Sequence, residues 1–169
     1  MAKVTLVKKA QKDYPEHNIQ KGESYYWWQL FRRPKQFSKT PPTRSQLTQS
    51  SFLQSLFAIE DRISALSGYF NFIEELESEM EEIKSEIESL KEEVEGNLTN
   101  MPEHLRESSD SGILMQERID GLEGWINDLD SIDYSFEVDD SQTIEKQEEE
   151  LSNCISNIID EIQQTSSGL

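Results

Sequence analysis

Apolar positions recur with a helical period over most of the chain after residue 43. They stand at 52, 56, 59, 63, 66, 70 and 73 and continue at 76, 80, 83, 87, 90 and 94. Alternating steps of four and three place such side chains along one face of a helix, as in the heptad seam of a coiled coil. The pattern predicts a long helix over residues 44–95, which would extend about 75–80 Å at 1.5 Å per residue.

This expected helix has a marked start and one weak point. Pro41 and Pro42 precede it, and Thr43 with Gln46 fits a capping box, in which the two residues satisfy each other's amide groups. The heptad spacing changes at Ile73, and Gly68 lies about one turn before that change. A kink or a break near Gly68 is therefore left open as an alternative to a continuous helix.

Two shorter periodic segments follow. One runs through Met115, Ile119, Leu122, Ile126 and Leu129, and the other through Ile144, Leu151, Ile155, Ile158 and Ile162. Gly96 is the expected C-terminal cap of the long helix, and residues 107–112 are expected to interrupt the helical pattern again. The segments 73–95, 113–132 and 141–164 are similar in length, which predicts an antiparallel three-helix bundle.

Before residue 43 the pattern is that of strands. Residues 25–31, "YYWWQLF", are rich in aromatic residues and favour a strand. The next residues, "RRPK", are typical of a turn, and "QFSKT" is expected to form the second strand of a hairpin. The preceding residues 1–23 are polar and basic, and we expect an arm or a weak strand there. The predicted fold is therefore mainly α: a long helix plus an antiparallel helical bundle or coiled coil, with a small N-terminal β-hairpin module of two or three strands.

The predicted domains are a basic aromatic β-hairpin module with an N-terminal arm (1–46), an apolar helical oligomerisation segment (47–70) and an acidic three-helix bundle (71–169). The middle segment has many apolar residues and three charged ones, Glu60, Asp61 and Arg62. A stripe of that size needs a cover, which the hairpin, a second copy of the chain or both would supply. A homo-oligomer, with a dimer favoured, is predicted to use Phe52, Leu56, Ile59, Ile63, Leu66 and Phe70.

Charge divides the chain in a way that the formal net charge of −18 conceals. Residues 1–46 carry ten Lys and Arg against three acids, a net charge of +7, whereas the other 123 residues carry 6 bases and 31 acids, a net charge of −25. Such asymmetry indicates that the two parts meet different partners.

Catalytic and metal-binding patterns are missing from the sequence. His17 and His104 lie in unrelated segments, and no phosphate-binding loop or nucleophile motif is present. Residues 128–139 resemble a calcium loop, but Ile132 and Asp133 occupy the fifth and sixth positions, where a ligand and a glycine are needed. We therefore expect no enzyme, no cofactor and no bound metal, and we expect Cys154 to be a buried structural thiol.

The basic stretch 24–42 has two interpretations. Its aromatic residues either form the small core of the hairpin, or the second face of β alternation leaves aromatics exposed beside cations, where they would stack bases and neutralise phosphates. The second interpretation predicts contact with nucleic acid or a nucleoprotein, preferably single-stranded nucleic acid. The residues predicted to make it are Tyr26, Trp28, Arg32, Arg33, Lys35 and Lys39.

The acidic helices also have two interpretations. They are either a solvated surface or a mimic of nucleic acid that captures a basic protein through residues 71–169, with apolar help from Trp125, Tyr134 or Phe136. The carboxylates assigned to this surface are Glu74, Glu75, Glu81, Glu82, Glu88, Glu92, Glu148 and Glu149.

Three functions follow from these patterns. A non-enzymatic adaptor that contacts nucleic acid is favoured, and an acidic mimic that acts as an inhibitor and a coiled-coil scaffold are the alternatives. Small acidic helical proteins of this composition are typical of accessory factors of mobile elements. The first residues have no apolar run of a signal peptide, and no stretch approaches the ~20 apolar residues of a membrane span, which predicts a cytoplasmic protein without a membrane contact.

Overall fold

The computed structural model describes residues 2–67, 70–137, 141 and 143–169. Within these residues the chain forms three strands and five α-helices: β1 (Thr5–Val7), β2 (Tyr25–Gln29), β3 (Lys35–Ser38), α1 (Ser51–Ser64), α2 (Ile73–Thr99), α3 (Glu103–Arg106), α4 (Asp110–Asp130) and α5 (Ile144–Gln164). The predicted fold class, mainly helical with a small N-terminal antiparallel sheet, is confirmed. The chain divides into two compact units, an N-terminal unit (Met1–Ala58) and a C-terminal unit (Ile59–Leu169). Residues 47–58 carry no charge, so the formal charges of +7 and −25 belong to these two units.

The sheet of the N-terminal unit is an antiparallel meander in the order β1-β2-β3. Trp27, at the centre of β2, pairs with Thr5 on one side and with Phe37 on the other. Of the two expectations for residues 1–23, an arm or a weak strand, β1 (Thr5–Val7) fits the strand, and the segment after β1 is folded as well. Its Ala10 and Ile19 are buried together with Tyr25, and the amide of Ala10 donates to the carbonyl of Glu23 at 2.8 Å.

The predicted long helix over residues 44–95 is wrong. The amide of Thr43 donates to Oε1 of Gln46 at 3.2 Å, as in a capping box, but Gln46 lies inside a 3-10 turn (Ser45–Leu47) and α1 begins at Ser51. That helix ends at Ser64, and α2 begins at Ile73. The alternative break near Gly68 therefore describes the chain better, although residues 68 and 69 themselves lie outside the described part.

Local hydrogen bonds explain where α1 ends and α2 begins. The last turn of α1 tightens, because the amide of Leu66 donates to the carbonyl of Ile63 at 3.1 Å in a three-residue step. Phe72 then adopts an extended conformation, and Glu75 in the first turn of α2 accepts a hydrogen bond from the amide of Asn71 at 3.1 Å. The change of heptad spacing at Ile73 is the start of a new helix.

In the C-terminal unit, α2 packs against α4 in antiparallel orientation. Lys84 pairs with Asp130 at 2.9 Å and Lys91 with Glu123 at 3.9 Å, so residue numbers rise along one helix as they fall along the other. The apolar seam predicted for α2 is confirmed over its whole length, since all seven of its positions are buried: Ile73, Leu76, Met80, Ile83, Ile87, Leu90 and Val94.

The other seams differ from the sequence pattern in detail. In α4 the buried residues include Trp125, with 1% of its surface exposed, whereas Ile126 is half-buried. In α5 the buried residues include Ile159, while Ile144 is 73% exposed. Helix α2 also continues through Gly96 to Thr99, so Gly96 is not the C-terminal cap that the sequence pattern predicted.

The last turn of α1 belongs to the helical unit. Nε2 of Gln163 in α5 donates to the carbonyl of Ile63 at 3.3 Å and to that of Leu66 at 3.0 Å. Arg62 extends from the same turn to three carboxylates of α2. The segments 73–95, 113–132 and 141–164 therefore share their unit with the end of α1, whereas the sequence placed residues 47–70 in a segment of its own.

Candidate nucleic-acid interface

The turn between β2 and β3 (residues 30–34) together with Lys35, the first residue of β3, is what we call the hairpin tip, and side chains on both sides hold the backbone of the turn. The amide of Arg33 donates to the carbonyl of Leu30 at 3.1 Å, and Arg32 lies in the left-handed region with φ 56°. Nε2 of Gln29 donates to the carbonyl of Arg33 at 2.9 Å, and Nε2 of Gln49 donates to the carbonyl of Phe31 at 2.6 Å. The two side-chain amides thus satisfy the turn's carbonyls and fix the direction of its side chains.

Three cations of the hairpin tip are exposed to solvent: Arg32, Arg33 and Lys35. In the part of the chain that the structure describes, none of them pairs with a carboxylate. The guanidinium of Arg32 lies 5.0 Å from the ring centroid of Phe31, and Nζ of Lys35 lies 4.2 Å from that of Trp27. Such cation–π contacts position a charge without neutralising it. The tip therefore presents three unneutralised cations on a fixed turn.

Lys39 is in a different situation from the other predicted cations. Its Nζ lies 2.9 Å from a carboxylate oxygen of Glu23. The pKa of Glu23 lies below its usual value because the carboxylate accepts a hydrogen bond from the amide of Gln20 and, to a smaller extent, because Lys39 donates to it. The charge of Lys39 is offset within the unit, so this residue adds less to the positive field than the three cations of the tip.

The predicted aromatic contacts need one correction. Trp28 is 4% exposed, and its Nε1 donates to the carbonyl of Gln46 at 3.1 Å. This burial contradicts the expectation that Trp28 lies on an exposed face, because the indole packs inside the unit. Tyr26, on the same face of β2, is half-buried, as is Trp27 on the opposite face.

Sequence reasoning missed Phe31. This ring is 75% exposed, more than any other large hydrophobic residue of the N-terminal unit that the structure describes. It was assigned to the strand "YYWWQLF", but β2 ends at Gln29, which places Phe31 in the turn. The signal that could have found it is its position directly before Arg32, Arg33 and Pro34, where a turn begins.

A groove of about 590 Å³ lies next to the hairpin tip, within the N-terminal unit, and we call it the tip groove. Its apolar walls combine the tip with the start of α1, and the guanidinium of Arg44 lies 4.8 Å from the ring centroid of Phe57 in one wall. The lining residues are Ala2, Lys3, Gln29, Leu30, Phe31, Leu47, Thr48, Gln49, Leu53 and Phe57.

The residues predicted for an oligomer interface are mostly inside the single chain. Phe52, Leu56, Ile59, Ile63 and Leu66 are buried, with at most 9% of their surface exposed. Phe70 is half-buried and borders a cavity of about 430 Å³ with Phe72, Leu151 and Ile155 among its walls. The sequence left open whether the hairpin, a second copy or both cover these positions; five of the six are buried within the single chain, so a second copy is not needed to remove those five from water. Self-association itself stays a prediction.

The acidic surface residues predicted from the sequence are all exposed: Glu74, Glu75, Glu81, Glu82, Glu88, Glu92, Glu148 and Glu149. Two of them take part in ion pairs, Glu82 with Arg62 at 2.9 Å and Glu81 with Lys84 at 2.6 Å. Burial opposes the charge of Lys84, but its bonds to Glu81 and Asp130 outweigh that cost and raise its pKa.

Two residues suggested as apolar help for a partner of this surface have other roles. The indole of Trp125 is buried, and its Nε1 donates to Oγ1 of Thr165 at 3.0 Å, so it is part of the core. Tyr134 is half-buried, and burial raises the pKa of its hydroxyl, which has no hydrogen-bond partner among the described residues. Phe136 is half-buried as well.

Metal and membrane sites can be assessed over the described residues. Among them, no group of three His, Cys, Asp or Glu side chains is arranged to hold a metal ion, and His17 stacks on Phe37 at 5.0 Å. Part of the calcium-like segment 128–139 lies outside the described residues.

Cys154 is half-buried, which is less than the expected full burial. None of the described helices has the length and apolar character to cross a membrane.

Comparison with known proteins gives no assignment: no family model matches the chain, and no curated protein or solved structure is significantly similar to it.

Proposed function

We propose that the chain is a non-enzymatic binding protein that contacts nucleic acid through the hairpin tip of its N-terminal unit. The observation that carries the proposal is the set of three exposed cations on this turn, Arg32, Arg33 and Lys35, which pair with no carboxylate in the described chain. They belong to the unit that has a net charge of +7 in a protein of net charge −18.

The chemistry of phosphate recognition explains why this arrangement matters. Phosphate contacts supply most of the affinity of nucleic-acid binding, and each neutralised phosphate adds about 0.7–0.9 to the dependence of log K on log salt concentration. A β-hairpin is narrow enough to enter the major groove of a duplex and equally able to follow a single strand. Gln29 and Gln49 hold the backbone of the turn, so little backbone freedom is lost when its cations bind.

The test is a salt titration of binding to a labelled oligonucleotide, followed by fluorescence anisotropy with the full chain. Replacement of Arg32, Arg33 and Lys35 by Glu should lower the affinity at least tenfold and reduce the salt slope by about 2–3, since roughly one phosphate contact is lost per residue. A matched control replaces Lys8, Lys9 and Lys21, which are exposed in the same unit, by Glu. This control changes the net charge of the chain by the same amount as the tip variant does.

The comparison of the two triple variants gives a clear decision. A larger loss in the tip variant supports a defined site at the hairpin tip. Equal losses would reduce the proposal to attraction by net charge, and a wild-type chain that binds no DNA or RNA at about 20 mM salt would overturn it.

A second candidate function is supported by the charges of the C-terminal unit. This unit has a net charge of −25, and three of its cations, Arg62, Lys84 and Lys91, are already paired with carboxylates. Its exposed carboxylates would then attract a basic protein in place of nucleic acid, as a polyanion mimic does. A chain with Gln at Arg32, Arg33 and Lys35 should still retain one basic protein above 0.15 M salt and release it to added duplex DNA.

The oligomeric state completes the proposal. We propose a homo-oligomer, because binding along a polyanion gains from repeated contacts.

A further inference from the structure

We infer that the tip groove holds one unpaired base of a single-stranded nucleic acid, an inference that rests on the proposed function and names the form of its ligand. The groove adjoins the three cations of the hairpin tip, so a strand that places phosphates on the tip passes its mouth. The groove thus adds a selective contact to a surface whose cations alone would accept any polyanion.

The groove is large enough to admit a base, and its walls are of a kind that bases contact. A volume of about 590 Å³ falls within the range of small-molecule sites, about 300–1,000 Å³. Leu30 and Phe31 form the wall on the side of the tip, and Leu53 and Phe57 form the wall on α1. Every base has an apolar π face that stacks on an aromatic ring, so these walls match bases without demanding one sequence.

Phe31 is the residue that makes the groove a stacking site. Its ring is 75% exposed, although an exposed phenyl group gains nothing from water. The guanidinium of Arg32 lies over this ring, 5.0 Å from its centroid, so a base that stacks on the same face would take the place of the guanidinium. The carbonyl of Phe31 is held by Gln49, so the ring's backbone does not have to be ordered when a ligand binds.

Charge around the groove points to a nucleotide strand. Lys3 lines the groove, and Arg32 and Arg33 directly follow the lining residue Phe31 in the chain. A base inside the groove would have its neighbouring phosphates within reach of these cations. In a duplex both faces of a base are covered by stacking, and extracting it costs a few kcal/mol. The groove therefore favours a single strand.

The experiment compares a labelled single strand of about 12 nucleotides, which lies within known site sizes, with a duplex of the same sequence. Anisotropy is measured for the wild type, Phe31→Ala, Phe31→Tyr and the control Phe72→Ala. Phe72 is also an exposed phenylalanine, at 59%, but it lies in the C-terminal unit. Because Phe31 is exposed, its replacement should leave the thermal unfolding curve unchanged.

The expected pattern has three parts. The wild type should prefer the single strand, and Phe31→Ala should weaken single-strand binding roughly 5- to 150-fold, the range that corresponds to loss of one base–aromatic stack. The same variant should change duplex binding less than twofold. Phe31→Tyr should retain the wild-type preference, because a phenol stacks as a phenyl ring does, and Phe72→Ala should behave as the wild type.

Each other outcome is decisive. If the wild type binds both forms equally and Phe31→Ala changes neither, the inference is wrong while the proposed function stands. If the wild type binds neither form, the proposed function fails as well. If an acidic, aromatic peptide of alternating Glu and Phe binds the wild type but not Phe31→Ala, and single-strand binding is equal in both, the groove is a peptide site and the inference is overturned.

Discussion

The indole Nε1 of Trp28 donates a hydrogen bond to the carbonyl of Gln46 at 3.1 Å, and this bond connects β2 to the segment before α1. The ring is 4% exposed, so the strand beneath the hairpin tip is anchored by one of its own aromatics. This anchor keeps the tip and the start of α1 together, which is the arrangement that forms the tip groove.

Trp28→Phe should therefore lower stability without changing the binding surface. The variant leaves the Gln46 carbonyl without its partner and removes part of a buried ring, which should cost about 1–2 kcal/mol of unfolding free energy. Chemical denaturation measures the loss. The affinity of the folded variant for nucleic acid should remain within about twofold of wild type, since the indole is not accessible to a base.

The neighbouring Trp27→Phe is the matched control for this prediction. The indole of Trp27 makes no hydrogen bond to a described residue, and its ring is half-buried. Its replacement should cost less than that of Trp28. A Trp28→Phe protein that is as stable as wild type but binds nucleic acid tenfold more weakly would contradict the assignment of Trp28 to the core.

The helical seam of α2 was predictable because a long amphipathic helix repeats one signal many times. All seven expected positions between Ile73 and Val94 are buried. The end of α1 was not predictable in the same way, because the heptad spacing of apolar residues continues at 66, 70 and 73, beyond Ser64 where α1 ends. Periodicity reports which side chains are buried and carries little information about where one helix stops and the next begins.

At the hairpin tip, too, the sequence pattern predicted some residues of the candidate site and not others. The cations Arg32, Arg33 and Lys35 were predicted as contacts, and the structure finds them exposed on the turn. Alternation along "YYWWQLF" could not assign Trp28 and Phe31 correctly. Both faces of β2 are covered, one by the segment that contains Ala10 and Ile19 and the other by the segment that contains Gln46. That tertiary context decides which aromatic remains exposed.

Gly124 and Gly121 in α4 provide a matched pair for testing the packing of the C-terminal residues. A Cβ added to Gly124 meets nothing within 4 Å, so Gly124→Ala should stabilise the chain by about 0.5–1 kcal/mol through helix propensity. A Cβ on Gly121 would lie 2.9 Å from the carbonyl oxygen of Ser167 and from Cδ2 of Leu169.

Gly121→Ala should therefore not give the increase in stability that Gly124→Ala gives. The same gain in helix propensity is opposed by overpacking of about 1–3 kcal/mol against the C-terminal residues. Thermal unfolding of both variants measures the difference. A Gly121→Ala chain that melts above wild type by as much as Gly124→Ala does would show that residues 167–169 do not pack on α4.

Among the ion-pairing residues of the C-terminal unit, we expect Arg62 to contribute most to the free energy of unfolding. Its guanidinium bonds to Glu79 at 2.7 Å, to Glu82 at 2.9 Å and to Glu86 at 2.6 Å, and the bonds to Glu79 and Glu82 raise its pKa further above its usual value. Arg62→Gln would leave three carboxylates close together. We expect a loss of about 1–2 kcal/mol, limited because two of the partners are more than half exposed.

Lys91→Gln is the control for the arginine variant. Its ion pairs with Glu95 and Glu123 both measure 3.9 Å, so its removal should change the unfolding free energy by less than about 0.5 kcal/mol. Urea denaturation at low and high salt checks the prediction, and salt should narrow the gap between Arg62→Gln and wild type because it screens the exposed carboxylates. Equal stability of the two variants would contradict it.

Ile63→Asp separates a buried core position from an oligomer interface. Ile63 is 3% exposed in the single chain, so an aspartate there would be a buried charge without a partner and should cost about 3–5 kcal/mol. The variant should lose helical circular dichroism at lower temperature than wild type, whereas Ser55→Asp, at an exposed position of the same helix, should not.

Sedimentation of the wild type and of Ile63→Asp supplies the second readout. If the wild type is a dimer and Ile63→Asp is a monomer with an unchanged melting curve, Ile63 lies in the interface between two copies, as the apolar pattern of residues 47–70 first indicated. If the variant instead unfolds as expected, the seam of α1 is used within one chain, and any self-association of the protein must use another surface.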